Sequence, residues 1–178
     1  MRHTRTLLIA TSLVAVLSCN SAQADVRLPN IFGNHLVLQR EQPIPVWGWA
    51  DSGEDVTVQL GDAVESTTAD EHGSWMVKLP AQAAGGPMTL AVSGANKVTY
   101  SDVLIGEVWL CAGQSNMDFT VAMTHKRHFA GTRNAKEEIA AARFPRIRMF
   151  TAEWAMHEAP MIDVEGTWKV CSPETVGN

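Results

Sequence analysis

Short segments in which apolar and polar residues alternate dominate the chain from residue 25 to about residue 101. A period of two is typical of β-strands that bury one face. The segments that show it are residues 35–40, 45–50, 56–60, 65–69, 74–79, 88–93 and 97–101. Turn-forming sequences such as Asp51-Ser52-Gly53 and Gly94-Ala95-Asn96 separate them. This spacing predicts an N-terminal antiparallel β-sandwich over residues 25–101.

The pattern changes after residue 101. Residues 103–111 form an apolar, β-branched run that predicts a buried strand. A helix-forming segment at 134–143 ends before Pro145, and residues 147–150 predict another strand. Strand, helix and strand in this order are typical of a parallel α/β sheet. Residues 102–178 have room for about two such units of roughly 30 residues each, so we expect only the first part of an α/β domain, in a truncated chain.

The first 24 residues have the features of an export signal. Arg2 and Arg5 precede a mostly apolar stretch at residues 7–17, and Ala22-Gln23-Ala24 is an A-x-A cleavage sequence. We therefore predict cleavage between Ala24 and Asp25 and a protein that is periplasmic or secreted. The apolar stretch is too short to span a membrane permanently, so we expect no integral membrane segment after the signal is removed.

Composition narrows the classes of function. The chain has 178 residues and a formal net charge of −5, and residues 1–24 contain no Asp or Glu, so the mature protein is more acidic still. An acidic exported protein is a poor candidate for binding nucleic acid. Cys111 and Cys171 could pair in an oxidising compartment or stay free, and their spacing does not suggest a zinc site. No metal or organic cofactor is predicted.

Ser115 is the strongest candidate for catalytic chemistry. It follows the predicted strand at 103–111 through a turn and precedes residues that can start a helix. The α/β hydrolases place a nucleophilic serine at such a junction, where helix N–H groups face a developing oxyanion. However, Met117 stands where the G-x-S-x-G motif has its second glycine, and Ser115 with Asp118 also fits a helix-capping sequence. The pattern alone leaves both a nucleophile and a capping residue open.

Residues 106–117, GEVWLCAGQSNM, resemble the first sequence block of the sialate O-acetylesterase family, a branch of the SGNH hydrolases. Residues 28–40, 46–50 and 168–178 resemble other parts of the same family, in the same order. The resemblance implies that a flavodoxin-like SGNH domain follows the β-sandwich. It also implies a serine esterase that removes O-acetyl groups from carbohydrate, with sialic acid as the expected sugar. Ser115 would be its nucleophile and a backbone donor of its oxyanion hole.

A serine nucleophile needs a general base, usually a histidine that a carboxylate orients. In SGNH hydrolases both lie late in the chain, in a D-x-x-H sequence that is absent here. The histidines after residue 24 are His35, His72, His125, His128 and His157, and none lies in such a sequence. We therefore expect the catalytic Asp and His beyond residue 178.

Two further features could contact a sugar. Trp47 and Trp49 are two residues apart on one predicted strand and so share a face, either as a sugar-stacking platform or, more commonly, inside the sandwich. Lys126, Arg127 and Arg133 could bind a sialic acid carboxylate or simply be solvated. A non-catalytic carbohydrate-binding protein with a degenerate or truncated hydrolase tail is the alternative. If the chain is complete as a gene product, a third expectation is an inert protein.

Overall fold

A computed structural model describes residues 25–123 and 130–177. Their regular structure is mostly β-strand with little helix. The first part contains seven strands: β1 (Val37–Gln39), β2 (Ile44–Trp49), β3 (Asp55–Leu60), β4 (Ala63–Thr68), β5 (Ser74–Leu79), β6 (Gly85–Ser93) and β7 (Lys97–Gly106). Each segment that the alternating pattern predicts to be a strand overlaps one of them. The predicted signal lies outside the described residues, so cleavage after Ala24 stays a prediction.

Burial follows the alternation along each strand. In β3, Val56, Val58 and Leu60 are completely buried, while the residues between them are partly or fully exposed. The same alternation occurs in β5, where Trp75 and Leu79 belong to the buried set. A period of two therefore places one face of each strand in the core.

The seven strands form two sheets. The larger sheet has the order β1-β7-β6-β3-β4, in which β1 runs parallel to β7 and the other neighbours are antiparallel. The smaller sheet is the antiparallel pair β2 and β5. Side chains from both sheets share one hydrophobic cluster, among them Ile44, Val46, Val58, Val77, Leu90 and Val92. Burial of these side chains is the main source of stability in this part of the chain.

The second part differs from the prediction. The strand expected at 103–111 ends at Gly106, because it is the end of β7, and residues 107–113 have no regular structure. A 3₁₀ helix (Ser115–Asp118), helix α1 (Ala135–Ala141) and strands β8 (Phe144–Ala152) and β9 (Gly166–Cys171) follow. The helix and the strand after it agree with the sequence prediction. In the described residues, however, β8 pairs with β9 as an antiparallel hairpin, not with a parallel neighbour.

The hairpin of β8 and β9 packs against the segment before β1. The indole Nε1–H of Trp168 in β9 donates to the Ile31 carbonyl at 2.7 Å, and Trp168 also contacts the hydrophobic cluster. In the loop between the two strands, the carboxylate of Asp163 accepts hydrogen bonds from the Asn30 backbone N–H at 2.8 Å and from the Asn30 side-chain amide at 3.4 Å. Both contacts join residues more than 130 positions apart, so only the folded chain brings them together.

None of the described helices is long and apolar enough to cross a membrane.

Candidate active site

Ser115 is the first residue of the 3₁₀ helix and is exposed. Gln114 is the N-cap residue, and no side chain caps this helix, so Ser115 does not act as the capping residue. The Met117 backbone N–H donates to the Gln114 carbonyl at 2.9 Å and closes the turn around Ser115. Within residues 25–123 and 130–177, neither the hydroxyl nor the backbone N–H of Ser115 has a hydrogen-bond partner. A nucleophilic serine donates to a general base, which the described residues do not supply, so its role here stays a prediction.

Upstream of Ser115, the chain is held where it leaves β7. The Glu107 carboxylate accepts from Arg40 Nε at 2.7 Å and from Gln39 Nε2 at 3.2 Å. The Gln39 side-chain oxygen accepts from the Val108 backbone N–H at 2.9 Å. The hydrogen bonds from Gln39 and then Arg40 lower the pKa of Glu107 from its ordinary value, and the bond to Glu107 raises the pKa of Arg40. Glu107 is thus held as an ionised acceptor of both bonds.

Downstream of Ser115, two backbone hydrogen bonds fix residues 121 and 122. The Ala122 N–H donates to the Gly177 carbonyl, in the turn after β9, at 3.1 Å. The Thr132 N–H donates to the Val121 carbonyl at 2.9 Å. A Cβ on Gly131 would lie 2.7 Å from the backbone nitrogen of Met123, and the φ of Gly131 is +77°. Glycine is therefore required there, because both the backbone conformation and the space exclude a side chain.

The structure brings together one histidine and one carboxylate that the sequence did not pair. His35 Nδ1 lies 2.6 Å from Asp102 Oδ2, and the same oxygen accepts from Arg148 Nη2 at 2.9 Å. The Arg148 side chain is 4% exposed. A carboxylate bound to Nδ1 is how enzymes orient a histidine base, yet no hydrogen bond in the described residues links His35 to Ser115. His35 and Asp102 lie 67 positions apart in the sequence, which is why no motif revealed them.

The other predicted candidates do not gather around Ser115. His72 is exposed and lies 3.6 Å from the carboxylate of its neighbour Glu71. His157 and Arg133 are exposed. His125, His128, Lys126 and Arg127 lie outside the described residues. No described histidine is thus in hydrogen-bond contact with the candidate nucleophile.

Trp47 and Trp49 share the face of β2 opposite Val46, and Trp47 packs against the hydrophobic cluster, so both positions that the sequence left open stay open. They alternate along β2 with the buried Val46 and Gly48 and are themselves half-buried. The centroids of the Trp47 and Phe32 rings lie 4.9 Å apart in a T-shaped arrangement, and the guanidinium of Arg27 lies 4.9 Å from the centroid of the Trp49 ring. Each indole therefore has a protein neighbour already. The inward position belongs to Trp75 in β5, which packs over Gly48.

Both cysteines in the described part of the chain are free. Cys171 is buried, but Cys111 is exposed, because the strand expected to bury it ends at Gly106. The described residues hold no group of three or more His, Cys, Asp or Glu side chains that could bind a metal ion.

Comparison with solved structures gives the class of protein. The chain is similar to the crystal structure of a carbohydrate acetylesterase from Xanthomonas citri, with a TM-score of 0.78 and 34% sequence identity. The match covers 86% of this chain and 34% of that one. The chain is therefore a mostly β protein that resembles part of a carbohydrate acetylesterase.

Relatives identified by sequence give the family. Sialate O-acetylesterase of Rattus norvegicus is 30% identical over 165 residues, which are 85% of this chain and 29% of that protein. The Mus musculus and Homo sapiens proteins of the same name are 30% and 31% identical, over 93% and 89% of this chain and 32% of each relative. No family model matches the chain. These matches confirm the resemblance seen in the sequence: the chain fits the sialate O-acetylesterase family and spans about a third of the length of these relatives.

Proposed function

We propose that this chain carries the nucleophile of a serine esterase that removes O-acetyl groups from carbohydrate, with O-acetylated sialic acid as the first substrate to test. One observation carries the proposal. Ser115 is exposed and lies in the stretch 106–117 through which the chain resembles sialate O-acetylesterases, and no described residue occupies its hydroxyl. The names of the relatives support an acetyl ester as the bond that is cleaved.

In the proposed reaction, Ser115 Oγ attacks the acetyl carbonyl carbon while a general base takes the hydroxyl proton. The tetrahedral intermediate expels the sugar hydroxyl, which receives that proton, and an acetyl-serine remains. Water then attacks the acetyl-serine and releases acetate. The backbone N–H of Ser115 has no other partner among the described residues, so it can donate to the oxyanion. Since no described histidine contacts Ser115, we assign the base to residues outside those described.

The proposed domain arrangement is a β-sandwich at residues 25–101 and the first part of an SGNH hydrolase domain at 102–178. The two sheets that share one core support the first domain. Strand β7, which lies between β1 and β6, runs across this proposed boundary without a break. Export to the periplasm or the medium is proposed from residues 1–24.

The test is acetate release from O-acetylated sialic acid and from acetylated plant polysaccharide. We expect Ser115→Ala in the full protein to reduce the rate by several orders of magnitude, because the covalent intermediate cannot form. Ser93→Ala, a serine in β6, is the matched control and should retain activity. Unchanged acetate release by Ser115→Ala would remove this serine from the mechanism. The ratio of the rates for the two substrates decides the sugar.

The alternative is a carbohydrate-binding protein without catalysis. Trp47 and Trp49 are each only half-buried, which favours it, since a stacking platform must reach the solvent. It requires a sugar to compete with Phe32 and Arg27 for the indoles. Binding of acetylated sialic acid that Trp49→Ala abolishes and Ser115→Ala retains, with no acetate release, would favour this alternative over the esterase.

A further inference from the structure

Four hydrogen bonds join Gln39 and Arg40, at the end of β1, to the last residue of β7 and the two residues that follow it. Two of them end on the Glu107 carboxylate, from Arg40 Nε at 2.7 Å and Gln39 Nε2 at 3.2 Å. A third runs from the Val108 backbone N–H to the Gln39 side-chain oxygen at 2.9 Å. The fourth runs from the Arg40 backbone N–H to the Gly106 carbonyl at 3.0 Å. We refer to Gln39, Arg40 and Glu107 as the β1 clamp.

Gln39 has a role in the clamp that few other side chains could take. Its amide donates to the Glu107 carboxylate and accepts from the next backbone N–H, at Val108. A carboxylate in its place could accept from the Val108 N–H but would repel the Glu107 carboxylate. An apolar side chain could neither accept from Val108 nor donate to Glu107. Arg40 adds a bond in which both groups are charged, which is stronger than a neutral one.

The clamp is the last fixed point of the chain before Ser115. In the described part of the molecule, residues 109–113 make no backbone hydrogen bond to another element and are exposed. The chain therefore receives its direction at Val108, where it leaves the sheet. The next local contact is the turn of Gln114 and Met117, which encloses Ser115.

We propose that Gln39, Arg40 and Glu107 are positioning residues for Ser115, because they determine the direction in which the chain leaves β7 toward the nucleophile. The proposal rests on the proposed function for the role of Ser115. Its geometric part does not, since it concerns only the placement of residues 108–117. The clamp residues touch neither a substrate nor the reacting atoms.

The first test measures the clamp directly. Hydrogen exchange of the Val108 amide should be about threefold to tenfold faster in Gln39→Met than in the unchanged protein, the factor that one hydrogen bond of ordinary net strength contributes. Gln59→Met is the matched control, because the only hydrogen bond of the Gln59 side chain within the described part of the chain goes to the nearby Gly61 carbonyl. An unchanged Val108 amide in Gln39→Met would overturn the proposal.

The second test asks whether the effect reaches Ser115. A nitroxide attached to the exposed Cys111 reports on the segment between the clamp and Ser115, since the other described cysteine is buried. We expect a more mobile nitroxide spectrum in Gln39→Met and in Arg40→Met, and no change in Gln59→Met. A faster Val108 amide with an unchanged nitroxide spectrum would mean that the clamp only stabilises the edge of the sheet, and would refute the positioning role.

Kinetics separate this proposal from the proposed function. In the active enzyme, the clamp variants should lower kcat with little change in KM, because the sugar contacts are kept while the nucleophile is displaced. Arg40→Lys, which keeps the charge, should retain part of the activity that Arg40→Met loses.

The two proposals can fail separately. If Ser115→Ala proves fully active, the proposed function is wrong, but the exchange and nitroxide results still decide whether the clamp positions residues 108–117. If Gln39→Met also accelerates exchange in β3 and β6, the exchange of the Val108 amide is measured in Arg40→Lys instead. Faster exchange confined to the clamp in that variant supports the proposal, and unchanged exchange overturns it.

Discussion

Residues 25–106 and residues 107–177 contain similar kinds of apolar side chains but bury them to very different degrees. Nearly all of the buried apolar residues belong to the first region, and in the described part of the second only Ala142 and Cys171 join them. The large exposed apolar side chains show the reverse: Val64 and Met76 lie in the first region, whereas Trp109, Leu110, Phe119, Trp154, Met156 and Ile162 lie in the second.

Two leucines make the contrast plain. Leu90 in β6 is 0% exposed, because β3 and β7 flank its strand and the smaller sheet contributes to the same core. Leu110 is 91% exposed, although it lies in a run that is just as apolar. Hydrophobicity therefore favours burial only where another element supplies a surface to pack against.

The largest expected effect tests this contrast directly. Leu90→Ala should lower the free energy of unfolding by about 2–5 kcal/mol, since it removes buried methyl groups and leaves a cavity. Leu110→Ala should change it by less than about 0.5 kcal/mol, because its side chain is already in water. Denaturant unfolding of both variants measures the difference. Equal losses would show that Leu110 is packed in solution and would remove the contrast between the two regions.

A second prediction concerns the contact that joins the two regions. Asp102→Asn removes the charge that both His35 and the buried Arg148 face. It should lower the free energy of unfolding by about 1–3 kcal/mol, because the guanidinium of Arg148 loses its charged acceptor. The backbone tolerates the change, since Asn readily adopts the positive φ of 56° found at this position. Asp62→Asn, on an exposed turn, is the control. Urea midpoints that shift equally in both variants would mean that the regions are not joined through Asp102.

The smallest effect is a pH dependence at the clamp. The pKa of Glu107 is lowered by its bonds from Gln39 and Arg40, so its contribution is present above the unfolded-state carboxyl pKa and is lost as the pH falls through the folded value. The difference in urea midpoint between the unchanged protein and Glu107→Gln should therefore be small near neutral pH and vanish on acidification. The carboxyl of Glu174 also has a lowered pKa, because of its hydrogen bond with Ser172. The variant Glu174→Gln therefore measures how much this second carboxyl contributes to the pH dependence of stability. A difference that persists in acid would exclude ionised Glu107 as its source.

Much of the first region could be predicted from the sequence. A period of two is visible in segments of about six residues, and the turn residues between them are local signals. Asp70 illustrates this: its carboxylate accepts from the N–H groups of His72 and Ser74, within the turn that the sequence predicted. Gly48 likewise marks a close approach, because a Cβ there would lie 2.2 Å from the Arg27 carbonyl oxygen.

The second region was less predictable for a physical reason. The length of the strand expected at 103–111 and the partner of β8 both depend on which surface lies alongside, and periodicity contains no such information. For Trp47 and Trp49, alternation shows that the two residues share a face but not what covers that face.

The sequence alone indicated the strand segments of residues 35–101, the turns between them, the family resemblance and Ser115 as the candidate nucleophile, because each depends on residues close together in the chain. Only the tertiary structure decided that β1 lies beside β7, that His35 meets Asp102 and Arg148, and that Gln39 holds Glu107 and Val108. These contacts join residues 46 to 69 positions apart. Contacts at such distances follow from the packing of whole sheets against one another, which no local pattern records.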